Sequence, residues 1–129
     1  MKSEKDVKAR IKKILDCYEW YWWCPPANGF GKSGISDFNA LWKGTFMAIE
    51  AKFGGNKPTS LQIGYLNSVR NEDGMAFVVD EKNIDWLEAW CMNFKRATQA
   101  ISRGEKVDEF AGASMLNAIS ELTNKTLDI

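Results

Sequence analysis

Glu50 and Lys52 stand two apart in the run Phe46-Met47-Ala48-Ile49-Glu50-Ala51-Lys52-Phe53, and Asp37 lies upstream of both. The run has strand character, and residues two apart in a strand point to the same face. Ala48, Glu50 and Lys52 therefore share one face, expected to be open to water or a substrate. Met47, Ile49 and Ala51 share the other, which is wholly apolar and predicts a core-facing side. Asp37 begins a second extended run, Asp37-Phe38-Asn39-Ala40-Leu41-Trp42, and the Lys43-Gly44 connection predicts a hairpin. Two carboxylates on adjoining strands, with a lysine beside them, make a hard-cation site suited to phosphate chemistry. Glu-x-Lys alone also describes a solvated ion pair on an amphipathic strand, so its neighbours decide.

The rest of the chain must position these residues. A length of 129 residues with 45% hydrophobic content predicts one compact domain with a real core. No stretch approaches the roughly 18 continuous apolar residues of a membrane span. The charged start, Met1-Lys2-Ser3-Glu4-Lys5-Asp6, has no apolar segment behind it and does not read as a secretory signal. Histidine is absent. That removes Ser-His-Asp and Cys-His triads and histidine-containing zinc sites, leaving carboxylates, lysine, hydroxyls or a metal for any catalysis. The odd cysteine count (Cys17, Cys24, Cys91) without a Cys-x-x-Cys pair predicts a reduced, intracellular chain with buried thiols. Net charge is zero, but residues 1–70 carry 11 Lys/Arg against 6 Asp/Glu and residues 71–129 carry 6 against 11. The first half is the candidate face for a polyanion.

Residues 4–18 predict an amphipathic helix with Val7, Ile11, Ile14, Leu15 and Tyr18 on one stripe and Ser3 as its N-cap. Lys5, Lys8, Lys12 and Lys13 fall largely off that stripe and read as a solvated face that can also meet phosphate. Residues 18–24 hold five aromatics and predict an extended segment whose rings mainly fill the core; stacking of one or two on bases or a sugar is the alternative. Gly31-Lys32-Ser33 looks like the end of a nucleotide phosphate loop. It lacks the earlier glycine of that motif, and it precedes a strand, so nucleotide binding is rejected. Such a loop can still hold a phosphate through backbone N–H groups. Thr59 or Ser60 caps a helix running to about Glu72, with Leu61, Tyr65, Leu66 and Val69 as its stripe, and Asp73-Gly74 ends it. Ala76-Phe77-Val78-Val79 predicts a strand in the middle of a sheet. Residues 83–96 predict a helix with Trp86, Leu87, Trp90 and Phe94 on one side. Gly104 breaks the chain, and residues 107–124 predict a last helix carrying Phe110, Met115, Ile119 and Leu122.

Three stretches now come together: Asn28-Gly29-Phe30-Gly31-Lys32-Ser33-Gly34-Ile35-Ser36-Asp37, then Phe46-Met47-Ala48-Ile49-Glu50-Ala51-Lys52, then Lys57-Pro58-Thr59-Ser60-Leu61-Gln62. Together they resemble the VRR-NUC nucleases, a phage-rich branch of the PD-(D/E)XK superfamily related to Holliday-junction resolvases. The resemblance covers about residues 4–80. It departs at Ser36, where the family has a proline that shapes the turn into the strand.

The resemblance implies an α/β, restriction-endonuclease-like mixed β-sheet core flanked by helices over residues 1–96; the C-terminal helical extension expected over 97–129 lies outside the resemblance and rests on the periodicity alone. It implies that Asp37, Glu50 and the backbone carbonyl of Ala51 bind Mg²⁺ or Mn²⁺. Lys52 would orient or deprotonate the attacking water or meet charge on the phosphate, and Gln62 would hydrogen-bond into the site. Glu4 matches the acid that the family adds from its first helix. Lys32, Ser33 and Lys57 are the candidates for nucleic-acid phosphate contacts. The implied function is metal-dependent hydrolysis of DNA phosphodiesters, with selectivity for junctions or flaps left open, in the cytoplasm of a bacterium or phage-infected cell. A non-catalytic DNA-binding or assembly module of the same fold is the alternative, and RNA or transposon-end substrates stay open. A homodimer would supply two sites for two strands.

Overall fold

The computed structural model describes residues 1–26 and 34–102. Lys32, Ser33 and the expected helix over 107–124, with Phe110, Met115, Ile119 and Leu122, lie outside the described residues.

Helix α1 (Glu4–Cys17) starts at Ser3, whose hydroxyl accepts the Asp6 N–H at 3.3 Å. Its spacing of three and four places Val7, Ile11, Ile14 and Leu15 on one buried face. The helix closes through Glu19 in the left-handed region (φ 64°). There the N–H groups of Trp20 and Glu19 donate back to the carbonyls of Leu15 and Asp16, a Schellman closure. Four strands follow: β1 (Tyr21–Trp23), β2 (Phe38–Trp42), β3 (Thr45–Ala51) and, after helix α2 (Ser60–Asn71), β4 (Met75–Val79). Helix α3 (Ile84–Ser102) ends the described chain.

The strands form one sheet in the order β1-β2-β3-β4, antiparallel except for the parallel pair β3–β4. The expected hairpin is present. Lys43 (φ 46°) and Gly44 (φ 85°) both take the left-handed backbone of a type I′ turn, whose twist suits the flanking strands. Glycine adopts that backbone without strain, and the turn fixes the register that the candidate site depends on.

Helices α1 and α3 cover one face of the sheet, and α2 covers part of the other. The main core joins the α1 stripe to Phe38 and Ala40, to Met47, Ile49 and Ala51, to Phe77 and Val79, and to Leu87, Trp90 and Phe94. A thinner cluster of Ala48, Leu66 and Ala76 lies under α2. The described residues thus form an α/β protein: a four-stranded mixed sheet flanked by three helices.

Several expectations change. Strand β4 is an edge strand among the described residues; its apolar run reflects helices over both faces rather than strands on both sides. Helix α3 runs past residue 96 to Ser102, so the expected boundary at 96/97 falls inside it. Trp86 is exposed, and the buried face of α3 is Leu87, Trp90, Cys91 and Phe94. The aromatic run alternates. Trp20 is buried and Trp22 packs edge-on against Phe38, while Tyr21 and Trp23 are exposed on the other face, which α2 leaves partly bare. Cys17 and Cys24 are exposed, and only Cys91 is a buried thiol. Among the described residues no helix is long and apolar enough to cross a membrane.

Candidate functional site

The hairpin register builds the site. Pairs run from Trp42–Thr45 outward to Phe38–Ile49, and one further step sets Asp37 opposite Glu50. A tight two-residue turn at Lys43-Gly44 therefore dictates the spacing between the two acids. Counting from the closing pair, Asp37–Glu50 is a non-hydrogen-bonded position, where opposed side chains lie closest.

Strand β2 has not yet begun at Asp37, so side chains replace the ladder. The Asp37 N–H donates to Glu50 Oε2 at 3.2 Å, and Asp37 Oδ2 accepts the Ala51 N–H at 2.9 Å. The N–H and carbonyl of one strand residue lie on the same side of the strand. The Ala51 carbonyl therefore lies on the β2 side of β3, the side from which Asp37 reaches the Ala51 N–H.

The first turn of α2 closes the site from above. The Thr59 hydroxyl accepts the Gln62 N–H at 3.2 Å, while Gln62 Oε1 accepts the Thr59 N–H at 2.8 Å, a complete capping box. With its oxygen so engaged, the Gln62 amide turns its Nε2 to Glu50 Oε1 at 2.7 Å. Lys52 Nζ lies 3.5 Å from the same oxygen. Gln62 is thus hydrogen-bonded to Glu50 from the first turn of α2. It also corrects the α2 stripe: the inward positions are Gln62, Tyr65, Leu66 and Val69, and Leu61 is 62% exposed.

The open face expected for Glu50 is a covered one. The residue is 2% exposed, and Lys52 beside it is partly buried. Burial first, and the Asp37 charge second, push the Glu50 carboxyl up to about 7, against the pull of Lys52. A carboxyl raised in the fold binds its proton more tightly there than in the unfolded chain. Its contribution is full below its ordinary 4.5 and is lost as pH rises through about 7. Without a cation, unfolding free energy is expected to fall over that window by on the order of 2–3 kcal/mol. Urea titrations at pH 4.5 to 8 measure it, and Glu50→Gln should flatten the slope. An equal slope in both proteins would place the titration elsewhere.

Lys8 was expected on a solvated face and instead turns into the site. Its Nζ lies 3.4 Å from Asp37 Oδ1 and 3.5 Å from Glu4 Oε2. Burial pulls its ammonium down, but the carboxylates of Asp37 and Glu4 outweigh that and leave it raised. Glu4 therefore meets Lys8 rather than completing a metal-ligand group, and no three acidic, cysteine or histidine side chains converge among the described residues. Lys57 is exposed on the loop between β3 and α2. Lys8 carries a signal in the sequence, its spacing of four from Glu4 on one helix face.

Ser36, Asn39 and Tyr65 brace the acids from behind. The Ser36 hydroxyl lies 3.1 Å from the Phe38 carbonyl and 3.0 Å from Asn39 Oδ1, and the Tyr65 hydroxyl donates to the same Asn39 oxygen at 2.9 Å. Ser36 and Asn39 are buried. Hydrogen bonds thus shape the entry to β2 and tie it to α2. Gly34 completes the brace. A Cβ there would lie 2.6 Å from the backbone carbon and oxygen of Leu61, and its φ is +84°. Gly34→Ala is expected to push the first turn of α2 off Glu50 and to cost about 2–4 kcal/mol in urea unfolding. A variant as stable as the parent would show that this contact yields freely.

The donor set suits a hard divalent cation: the carboxylates of Asp37 and Glu50 and the Ala51 carbonyl, all oxygen. The mutual repulsion that helps raise Glu50 is what a cation between the two acids relieves. No protein-family model matches the chain, and no curated protein matches its sequence.

Proposed function

We propose that this chain is a Mg²⁺- or Mn²⁺-dependent endonuclease that hydrolyses DNA phosphodiester bonds on a restriction-endonuclease-like PD-(D/E)XK core. One observation carries the reading: the hairpin sets Asp37 opposite Glu50, with Lys52 and Gln62 both on Glu50 Oε1. A cation held by Asp37, Glu50 and the Ala51 carbonyl would acidify a bound water and neutralise charge on the phosphate. The chain's own groups do the rest. Gln62, fixed by the α2 cap, holds the Glu50 carboxylate in one orientation. Lys52 presents its ammonium beside Glu50, placed to orient the attacking water or to meet charge growing on the phosphate. Asp37 is held by the Ala51 N–H, so its oxygens need no reorganisation when the substrate arrives. The basic first half of the sequence supplies attraction for the polyanion.

A second reading, a nucleic-acid-binding module of this fold without catalysis, is favoured by one feature. Lys8 and Lys52 already pair with both carboxylates. The test is incubation with supercoiled plasmid, linear duplex, flap and four-way-junction DNA in Mg²⁺, Mn²⁺ or EDTA. Cleavage in either metal and none in EDTA is the expected result. Full activity in EDTA would remove the metal from the mechanism, and binding without cleavage in any condition would favour the second reading.

A further inference from the structure

The outer edge of the acidic pair is occupied by an ammonium. Asp37 Oδ2 is taken by the Ala51 N–H, Glu50 Oε2 by the Asp37 N–H, and Glu50 Oε1 by Gln62 and Lys52. That leaves Asp37 Oδ1, and Lys8 Nζ lies 3.4 Å from it. The same ammonium lies 3.5 Å from Glu4 Oε2, one helical turn earlier on α1. Glu4, Lys8 and Asp37 thus form a chain of alternating charge, with Lys8 partly exposed at its centre.

We propose that Lys8 is a resident counter-cation that competes with the divalent metal for Asp37 while holding Glu4 in an ion pair. The inference rests on the metal-dependent reading of Asp37 and Glu50 and adds a determinant of how tightly the site takes its ion. A divalent ion and the Lys8 ammonium repel each other at Asp37 Oδ1, so each weakens the hold of the other on that oxygen and metal binding favours withdrawal of Lys8. Withdrawal would also release Glu4, one helical turn earlier on α1, from its ion pair with Lys8. In the absence of metal, Lys8 balances the charge that would otherwise splay the acids apart. The competing pairs are partly solvated, which keeps the ammonium displaceable.

Mn²⁺ binding without nucleic acid tests this, read from the free-ion signal in electron paramagnetic resonance. The proteins are the full chain and its Lys8→Gln, Lys8→Arg, Lys5→Gln and Asp37→Asn variants. Lys8→Gln is expected to bind Mn²⁺ roughly three- to tenfold more tightly, the range that two partly exposed ion pairs supply. Lys8→Arg should stay near the parent because it keeps the charge. Lys5→Gln removes an equal charge from the same helix and should change little. Cleavage by Lys8→Gln should also reach half its maximum at lower Mn²⁺. A Lys8→Gln affinity no tighter than that of Lys5→Gln, with Asp37→Asn abolishing binding, overturns the competition and leaves the metal site standing. Loss of the metal site itself would show differently, as a parent that takes up no Mn²⁺ that Asp37→Asn removes, and that result overturns both.

Discussion

Asp37→Asn and Glu50→Gln are each expected to abolish metal binding and cleavage together, with rates down by on the order of 10³-fold or more, while the fold persists. The size follows from the register. These two carboxylates are opposed across the hairpin, and their charge is what would hold the ion. Amides of nearly the same shape keep the packing, so loss of activity would not be loss of structure. Asparagine can still accept the Ala51 N–H that Asp37 Oδ2 accepts now. Glutamine can still accept from Gln62 Nε2 at the position of Glu50 Oε1. The two variants should differ in pH behaviour. Asp37→Asn removes the charge that helps raise Glu50, so the remaining carboxyl should titrate lower, whereas Glu50→Gln removes the titration altogether. Calorimetric Mn²⁺ titration, circular dichroism and plasmid cleavage on the same preparations separate these effects. Parental cleavage by either variant would end the proposal that the pair holds the catalytic ion.

The parts of this site that follow from period and turn chemistry were legible in the sequence. Alternation over residues 46–52 assigned Met47, Ile49 and Ala51 to the core, and all three are fully buried. Lys43-Gly44 announced the tight turn, and that turn alone places Asp37 opposite Glu50. What was not legible depends on what lies above a face. Periodicity shows that Glu50 and Lys52 share a side, but not that the first turn of α2 roofs it. The same gap explains Leu61. A hydrophobic stripe picks out the leucine and passes over Gln62, because the inward position here is polar and satisfied by Glu50 and Thr59. Strand β4 was misplaced for a related reason, since an apolar run records that both faces are covered and not which strands flank it. The partners of Ser36 were not legible either: its hydroxyl bonds to Asn39 Oδ1, which also accepts from the Tyr65 hydroxyl, and topology brings these together from β2 and α2.

Lys52→Ala is expected to lower the single-turnover cleavage rate by on the order of 10²–10³-fold while leaving Mn²⁺ affinity unchanged or slightly tighter. The asymmetry comes from what a lysine does in such a site. Its ammonium cannot ligate a cation, and its nearest acidic oxygen, Glu50 Oε1 at 3.5 Å, is one whose charge the metal would share. Removing it therefore relieves competition in the resting site. The charge that grows on the phosphate, or the water that attacks it, then has no preorganised partner. The backbone should not suffer, because the Lys52 N–H keeps its bond to the Val79 carbonyl at 2.9 Å whatever the side chain. A second signature accompanies the rate. Lys52 pulls the Glu50 carboxyl down, so its loss should move Glu50 further up and shift the rising limb of the pH–rate profile to higher pH. Lys52→Arg should restore that limb but only part of the rate, since a planar guanidinium carries the charge in a different shape. If Lys52→Ala cleaves at the parental rate with an unchanged profile, the lysine is only the partner of a buried acid, and the water or phosphate is met by another residue.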